Sequence, residues 1–313
     1  MSGRIPVWID TDPGVDDSFA VLCALKDERL DVRGISAVMG NAEQKYTYKN
    51  ARNLVHFANR DEVPVYAGSE VPLFKKLRTA PLIHGETGIS DAVLEESSAP
   101  HTSLSAWDAL YKEAKAQNGA LRLVTLGPLT NIAKAFMKYP ELPDLLEGIY
   151  IMGGAAEGGN ITPCAEFNVY VDPHAAETVF RTGKKVYMFG LDVTQKAYLT
   201  DAEYWGIVKG EGRMAEFFRN STAHILRLKE NPQGFELYLH DVCPVAYLHE
   251  PSLFYGEMAK VHAETEGTIT SGKTVTDLWS DKSFAEEANT KVMLEVNREA
   301  LIRYMTDMLK KIQ

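Results

Sequence analysis

The sequence predicts an α/β protein with one open, mostly parallel, doubly wound sheet flanked by helices. A helical and β-rich C-terminal extension is expected to complete it. Over residues 5–189, short apolar runs alternate with helical patterns, which is typical of βαβ units. No linker, low-complexity tract or internal repeat interrupts the chain, so residues 1–313 are expected to form a single domain.

The elements of the first half can be placed one after another. Residues 5–9 form an apolar run that predicts a buried strand, and residues 18–25 predict the helix that follows it. Further strands are predicted at residues 32–39, 63–66, 121–126, 149–152 and 185–189. Helices are predicted at residues 43–58, 103–116, 129–139 and 173–181. Asp172 before Pro173 favours a helix start there, since an acid caps well and Pro suits the first helical position.

The C-terminal part has a different pattern. Residues 199–248 are mainly helical in pattern, and residues 255–296 are rich in β-branched residues with turn glycines at Gly267 and Gly272. An amphipathic pattern over residues 298–312 predicts a final helix.

Charge and composition exclude several classes of function. The formal charge of -10, with no basic stripe, argues against a nucleic-acid or anionic-membrane partner. No apolar stretch approaches the roughly 18 residues of a membrane helix, and no basic-then-apolar leader is present. The three cysteines, Cys23, Cys164 and Cys243, are odd in number and far apart, which favours reduced thiols. We therefore expect a cytoplasmic protein.

Four carboxylates lie between Asp10 and Asp17, directly after the first strand. Carboxylates this close repel one another unless a cation or a shared proton relieves the charge. Asp16 and Asp17 alone could be helix first-turn acids that complement the dipole, but Asp10 and Asp12 precede the Pro-Gly turn. The pattern favours a metal site at the carboxyl end of a strand, and all-oxygen ligands favour Ca²⁺ or Mg²⁺.

Polar residues follow two other strands. Gly153 and Gly154 alone are typical of a flexible loop, but Asn160, Glu166 and Asn168 come soon after and would suit a polyhydroxyl ligand such as a sugar. The junction at residues 126–131 is either a tight turn or a place where a backbone carbonyl completes a metal's oxygen shell. Neither a dinucleotide fingerprint nor a Walker A sequence occurs.

His84, His240 and the residues around His240 are further candidates for the site. Asp241 could simply cap the helix after it, and His240 could be a structural histidine. Phe235 and Tyr238 precede His240 and could either stack on an aromatic ring or belong to the core. His84 lies in a long irregular stretch, residues 68–100, of the kind that is often either a lid or disordered.

These residues resemble a known family. The octapeptide at residues 10–17 looks like the signature of the inosine-uridine-preferring nucleoside hydrolases, which cut the N-glycosidic bond of ribonucleosides. The resemblance spans nearly the whole chain, because further motifs occur in the expected order: Gly40-Asn41, His84-Gly85, residues 127–131, Met152-Gly153-Gly154, Asn160, residues 166–168 and His240-Asp241.

The resemblance implies a role for each residue. Asp12 is expected to be the general base and also to touch one Ca²⁺ per chain, together with Asp17, Asp241 and the carbonyl of Leu126. Asp10 is expected to support this cluster from behind the ligands, and His240 to donate a proton to the leaving base. The residues expected to contact the substrate or the attacking water are Asp16, Asn41, His84, Met152, Asn160, Glu166 and Asn168.

The expected reaction is hydrolysis of inosine, uridine and related purine or pyrimidine ribonucleosides by a homodimer or homotetramer. Two alternatives remain open at this point. One is a Ca²⁺- or Mg²⁺-dependent phosphatase of the haloacid-dehalogenase kind, although Pro13-Gly14 replaces the turn that usually follows its second Asp. The other is a non-catalytic Ca²⁺-dependent protein that binds nucleosides or sugars, which would need no water-activating base.

Overall fold

The computed structural model describes residues 3–228, 236–279 and 287–312. Its strands occur throughout the chain. They are β1 (Ile5–Thr11), β2 (Leu30–Ala37), β3 (Val65–Ala67), β4 (Leu121–Thr125), β5 (Leu146–Met152), β6 (Val186–Phe189), β7 (Tyr198–Leu199), β8 (Leu237–Tyr238), β9 (Phe254–Ala263), β10 (Thr274–Asp277) and β11 (Thr290–Val296).

Helices separate most of these strands. They are α1 (Val15–Lys26), α2 (Gln44–Phe57), α3 (Pro81–His84), α4 (Ala106–Gln117), α5 (Thr130–Lys138), α6 (Phe167–Val171), α7 (Pro173–Phe180), α8 (Leu191–Thr194), α9 (Asp201–Val208), α10 (Arg213–Arg227), α11 (Val242–His249) and α12 (Arg298–Leu309). Short 3-10 turns occur at Leu142–Leu145 and Pro251–Leu253.

Within the described ranges, nine strands form one sheet in the order β10-β9-β11-β6-β5-β4-β1-β2-β3. Every pairing from β3 across to β11 is parallel, and only β11–β9 and β9–β10 are antiparallel. The chain runs outward from β1 through β2 to β3 and then returns to place β4 on the other side of β1. This reversal opens a crevice at the carboxyl ends of β1 and β4, where such sheets bind their ligands.

The hydrophobic core lies on both faces of the sheet. In β1, Val7 and Ile9 belong to one apolar cluster and Trp8 to the other, as the alternation of a strand requires. The first cluster is covered by α1, α11 and α12, and the second by α4, α5 and α7. Because both faces are buried, the sheet is doubly wound and the crevice is fixed between two packed layers.

The predicted fold class is confirmed, with several differences in detail. The predicted strand at residues 63–66 occurs at Val65–Ala67, and the helix predicted from residue 103 begins at Ala106 because the Ser105 side chain accepts the Asp108 amide and caps it. The β-rich C-terminal part extends the main sheet, because β11 pairs with β6. No helix in the described ranges is long and apolar enough to cross a bilayer.

Candidate active site

The acidic residues of the octapeptide meet at the end of β1 and the start of α1. Asp10, Asp12 and Asp17 are fully buried, and Asp16 is half-buried. Asp17 is held in place by Thr11, whose hydroxyl donates to Oδ1 at 2.6 Å, and by the Gly14 amide, which donates to Oδ2 at 3.0 Å. Asp17 therefore caps its own helix and still presents a carboxylate to the crevice.

A third segment of the chain adds Asp241 to this cluster. Asp16, Asp17 and Asp241 each offer a carboxylate oxygen, and the three oxygens lie within 4.8 Å of one another. Asp241 precedes α11, but its side chain makes no capping hydrogen bond, so helix capping does not explain this residue. The alternative that Asp16 and Asp17 serve only the helix dipole is likewise insufficient, because both face an acid from the far side of the site.

Asp12 lies near these carboxylates, between two loops that contact both of its oxygens closely. We call Asp16, Asp17 and Asp241 the triplet, and the space between the two loops the cradle of Asp12. Its Oδ2 accepts the backbone amide of Asn41 at 2.7 Å, whereas its Oδ1 is buried and has no hydrogen-bond partner within residues 3–228, 236–279 and 287–312. The cradle depends on two glycines, since a Cβ at Gly40 would overlap Oδ2 and a Cβ at Gly127 would overlap Oδ1. A buried carboxylate oxygen without a partner is costly unless a ligand completes its shell.

Burial raises the pKa of every acid in this cluster, and repulsion between carboxylates adds to the effect for Asp12, Asp17 and Asp241. Burial raises the pKa of Asp16 and of Asp17 to about 6, and the charge of Asp16 adds to the effect on Asp17. The pKa of Asp241 lies well above its ordinary value because of burial and then repulsion from Asp16, Asp17 and Asp12. Burial, followed by the charge of Asp17, also raises the pKa of Asp12. A bound cation would relieve all four.

Asp10 lies behind the cluster. Its Oδ1 accepts hydrogen bonds from the Ser36 hydroxyl and, at 2.8 Å, from Asn131 Nδ2. Burial raises the pKa of this carboxyl to about 7. Asp10 does not line the cavity. Its contacts instead join β1 to β2 and α5, and they hold the end of the strand next to Asp12 in place.

Above the acids is a cavity of about 360 Å³. The sequence-predicted residues that line it are Asp16, Asn41, His84, Leu126, Met152, Asn160, Glu166, Asn168, His240 and Asp241. Asp12 and Asp17 lie beneath these residues and are tied to the wall through Asn41, whose Nδ2 donates to Asp17 Oδ2 at 2.8 Å. Residues remote in sequence thus converge on one cavity at the crevice between β1 and β4.

Glu166 and Asn168 have structural partners that the sequence did not suggest. The Glu166 carboxylate is buried and accepts backbone amides of Gly154 at 2.8 Å, Asn168 at 2.9 Å and Val169 at 3.2 Å, so it caps α6. Burial raises its pKa to about 7. Asn168 Nδ2 donates to the Leu126 carbonyl at 2.7 Å. One lone pair of the Leu126 carbonyl oxygen is therefore used, and the other remains for a second contact.

The two cavity histidines are held differently. His84 Nδ1 accepts the Val15 amide at 3.1 Å, which leaves the ring proton on Nε2. Burial lowers the pKa of His84 to about 3, and burial likewise lowers that of His240 to about 4. His240 Nδ1 is 2.8 Å from the Thr194 hydroxyl. Both rings are therefore neutral near pH 7.

Several residues of the site were missed from the sequence. Ile83, Ile161, Ile225 and Glu236 line the cavity, and Thr194 lies behind His240. No local pattern marks them, except that Glu236, Tyr238 and His240 alternate along one short extended segment and so share a face. Of the two aromatic residues suggested for stacking on a base, Tyr238 lines the cavity, and Phe235 lies outside the described residues.

The chain is similar to known nucleoside hydrolases along nearly its whole length. The model of the inosine-uridine preferring nucleoside hydrolase family matches residues 7–303. The non-specific ribonucleoside hydrolase RihC of Escherichia coli O127:H6 is 36% identical over 306 residues, which cover 98% of each chain. The pyrimidine-specific ribonucleoside hydrolase RihA of Photobacterium profundum is 36% identical over 306 residues, which cover 97% of this chain and 98% of that relative.

A solved structure agrees with these matches. The purine-preferring ribonucleoside hydrolase from Gardnerella vaginalis superposes with a TM-score of 0.89 at 29% identity, covering 98% of this chain and 99% of that one. The fold and the buried acidic crevice define a hydrolase of the nucleoside hydrolase class. The chain belongs to the inosine-uridine preferring nucleoside hydrolase family. Neither the phosphatase nor the non-catalytic binding protein is supported.

Proposed function

We propose that this protein hydrolyses the N-glycosidic bond of purine and pyrimidine ribonucleosides, with Asp12 as the general base and one Ca²⁺ in the acidic cluster. The proposal rests on the buried Asp12 Oδ1, which has no hydrogen-bond partner among the described residues. Asp12 is also close enough to Asp17 and Asp241 for their carboxylate charges to interact. A free carboxylate oxygen at the base of a sugar-sized cavity is suited to take a proton from water.

The donor set fits a hard cation. Asp12, Asp17, Asp241 and the Leu126 carbonyl would hold it, and Asp16 is close enough to Asp17 and Asp241 to take part. Carboxylate and carbonyl oxygens without nitrogen or sulfur favour Ca²⁺ over Zn²⁺. When bound, such a cation would offset the carboxylate charges and lower the pKa of a water molecule next to it.

Asp12 is oriented for its task by the residues around it. The Asn41 amide holds Oδ2, so Oδ1 is the oxygen left to accept the proton of the attacking water. The glycines at positions 40 and 127 allow the backbone to approach this carboxylate closely and leave no room for it to turn away. A base that is already held in its reactive orientation loses no further conformational entropy during the reaction.

The ribose would be bound by the polar groups along one wall. Asp16 and the free Oδ1 of Asn168 can receive the 2′- and 3′-hydroxyls, and Met152 can pack under the ring. Asn160 uses Oδ1 for the Phe167 amide at 2.9 Å, which leaves Nδ2 for the 5′-hydroxyl beside Glu166. As positive charge develops on the sugar, the acids around it favour the transition state over the ground state.

The nucleobase would lie among the apolar residues above the ribose, beside His84 and His240. Ile83, Ile225 and the ring of Tyr238 provide apolar surface, while Glu236 and the Tyr238 hydroxyl, which donates to it at 3.0 Å, add polar groups. Apolar contact of this kind can accept both purines and pyrimidines, and we include inosine and uridine among the substrates. His240 is the group to which we assign stabilisation of the leaving base. The homodimer or homotetramer remains a proposal, and sedimentation equilibrium measures it directly.

The test is incubation of the purified protein with inosine and uridine in phosphate-free buffer containing calcium. We expect free base and free ribose to appear in equal amounts, and reducing sugar and base are both easily measured. Stoichiometric binding without turnover would contradict the proposal. Release of ribose without a cation and in excess chelator would contradict the metal part alone.

A further inference from the structure

Thr194 makes an unusual contact behind the active-site cavity. It is the last residue of α8 and is completely buried. Its hydroxyl lies 2.8 Å from Nδ1 of His240, which is 46 residues away in the sequence. In the described part of the chain, the Thr194 hydroxyl has no other hydrogen bond, and neither does the His240 ring.

The chemistry of the two groups decides which one donates. A hydroxyl carries one proton, and a buried proton donor needs an acceptor. Nδ1 of His240 is the acceptor that the structure places within reach of Thr194. The Thr194 hydroxyl therefore donates to a bare Nδ1, and the single proton of the imidazole lies on Nε2. Because the ring lines the cavity, this nitrogen is the one left for a ligand.

The surrounding contacts make this arrangement rigid. Asp192, in the same short helix as Thr194, accepts the backbone amides of Ala156 at 2.8 Å and Glu157 at 3.0 Å. The Leu239 amide donates to the Ala197 carbonyl at 2.8 Å and so fixes the strand end that carries His240. Helix α8 thus connects the loop that leads to Asn160 with the segment that carries His240.

We propose that Thr194 is a positioning residue that fixes His240 as its Nε2–H tautomer, so that the imidazole donates a hydrogen bond to the departing nucleobase. This inference rests on the proposed nucleoside hydrolase function. As the C1′–N bond breaks, its electron pair passes to the base nitrogen, which accepts the hydrogen bond from Nε2–H. The water oxygen bonds to C1′, and its proton passes to Asp12. His240 keeps its own proton throughout.

The substrates that depend on Thr194 should be nucleosides whose base is a poor leaving group, such as inosine, because the departing charge needs a donor. A riboside of p-nitrophenol leaves as a stable anion and needs little help from His240. The loss caused by a Thr194 variant should therefore differ between these two substrates, which a general loosening of the structure would not produce.

The first test is spectroscopic and needs no activity. The ¹⁵N chemical shifts of the His240 ring, measured on calcium-loaded protein and assigned by the resonance lost in His240→Gln, report which nitrogen carries the proton. We expect a bare Nδ1 and a protonated Nε2 in the wild type, and a loss of this preference in Thr194→Val. A wild-type ring protonated on Nδ1 would overturn the inference.

The second test is kinetic. Thr194→Val should lower kcat for inosine about tenfold, in keeping with loss of one buried hydrogen bond, and should leave p-nitrophenyl riboside within about threefold. Thr194→Ser keeps the hydroxyl and should restore the wild-type ratio, which also controls for folding. Equal losses on both substrates would overturn the inference. Absence of turnover in the wild type would instead refute the proposed function, while the spectroscopic result would still stand.

Discussion

The backbone amide of Asn41 donates to Oδ2 of Asp12 at 2.7 Å, and Oδ1 of the same carboxylate is buried without a partner in the part of the chain that the structure describes. The two oxygens of one side chain therefore have different functions. One fixes the carboxylate to the loop after β2, and the other is available for a cation, a water or both. Asn41 also reaches Asp17 through Nδ2, so a single residue orients both acids.

Gly40→Ala should disable the enzyme without unfolding it. A Cβ at this position would overlap Asp12 Oδ2 and force the carboxylate out of its cradle. Misplacing a reacting group by about 1 Å can cost on the order of 100-fold in rate, so we expect a loss of at least that size in kcat. Initial rates with inosine measure it.

The matched control is Gly206→Ala. Gly206 lies within α9, and no atom of the described residues is within 4 Å of the Cβ that would be added there. This variant should keep wild-type kcat and gain thermal stability, because Ala is favoured over Gly inside a helix by about 1 kcal/mol. Wild-type activity in Gly40→Ala would show that the position of Asp12 is not critical.

The number of bound Ca²⁺ ions should match one acidic cluster per chain, and binding should depend on its carboxylates. Elemental analysis of protein purified in calcium-containing buffer should give about one Ca²⁺ per chain, as expected of a hard oxygen site. Removing the cation with a strong chelator should abolish turnover, and added Ca²⁺ should restore it. Asp241→Asn should weaken binding, because it removes one charge from the triplet. Protein that is metal-free and fully active would contradict the cation assignment.

His240→Ala should affect substrates according to their leaving group. Inosine needs help for its departing base and should lose much of its kcat, whereas p-nitrophenyl riboside should be affected far less. The comparison of kcat values isolates transition-state stabilisation at the leaving group. If both substrates fall together and calcium affinity drops as well, His240 only positions Asp241 or packs the site.

Glu203, which does not line the active-site cavity, should contribute pH-dependent stability. Its hydrogen bonds to Arg298, at 2.7 and 3.2 Å, and to Thr200 lower its pKa to about 2. Because the folded-state pKa is depressed, the stabilisation is present above the unfolded pKa, near 4.5, and is lost as the pH falls towards 2.

Since the carboxylate is partly exposed and screened, Glu203→Gln should cost only about 1 kcal/mol at pH 7. Denaturant unfolding at pH 7 and pH 3 measures the difference between the variant and the wild type. The difference should shrink at the lower pH. A difference that is equal at both pH values would show that packing, not the ion pair, explains the effect.

Much of the fold could be predicted from local patterns. The alternation of apolar runs with helical patterns predicted the parallel sheet, and Asp172 caps α7 as predicted, with its Oδ1 accepting the Ala175 amide at 3.1 Å. The position of the C-terminal strands in the sheet could not be predicted, because the pairing of β11 with β6 joins segments about 100 residues apart. Local sequence patterns do not determine which strands pair over such a distance.

Which residues lie at the candidate site could be predicted better than the hydrogen bonds that these residues make. The four acids at residues 10–17 led to the prediction of a metal site at the end of the first strand. The structure buries Asp10, Asp12 and Asp17 there and brings Asp16 and Asp17 close to Asp241. The sequence did not predict that Asn168 would hold the Leu126 carbonyl or that Glu166 would cap α6. These contacts depend on the angle at which loops return to the sheet, and residue spacing does not determine that angle.

In the proposed mechanism, Asp12 takes the proton of the attacking water. The most direct test is kcat for Asp12→Asn with both inosine and p-nitrophenyl riboside, on protein shown to be folded and calcium-loaded. The amide keeps the size of the side chain but cannot accept the proton. Because water attack is common to both substrates, both should fall by at least the ~10²–10⁴-fold typical of general base catalysis. A calcium-loaded variant with near-wild-type kcat on either substrate would contradict the account.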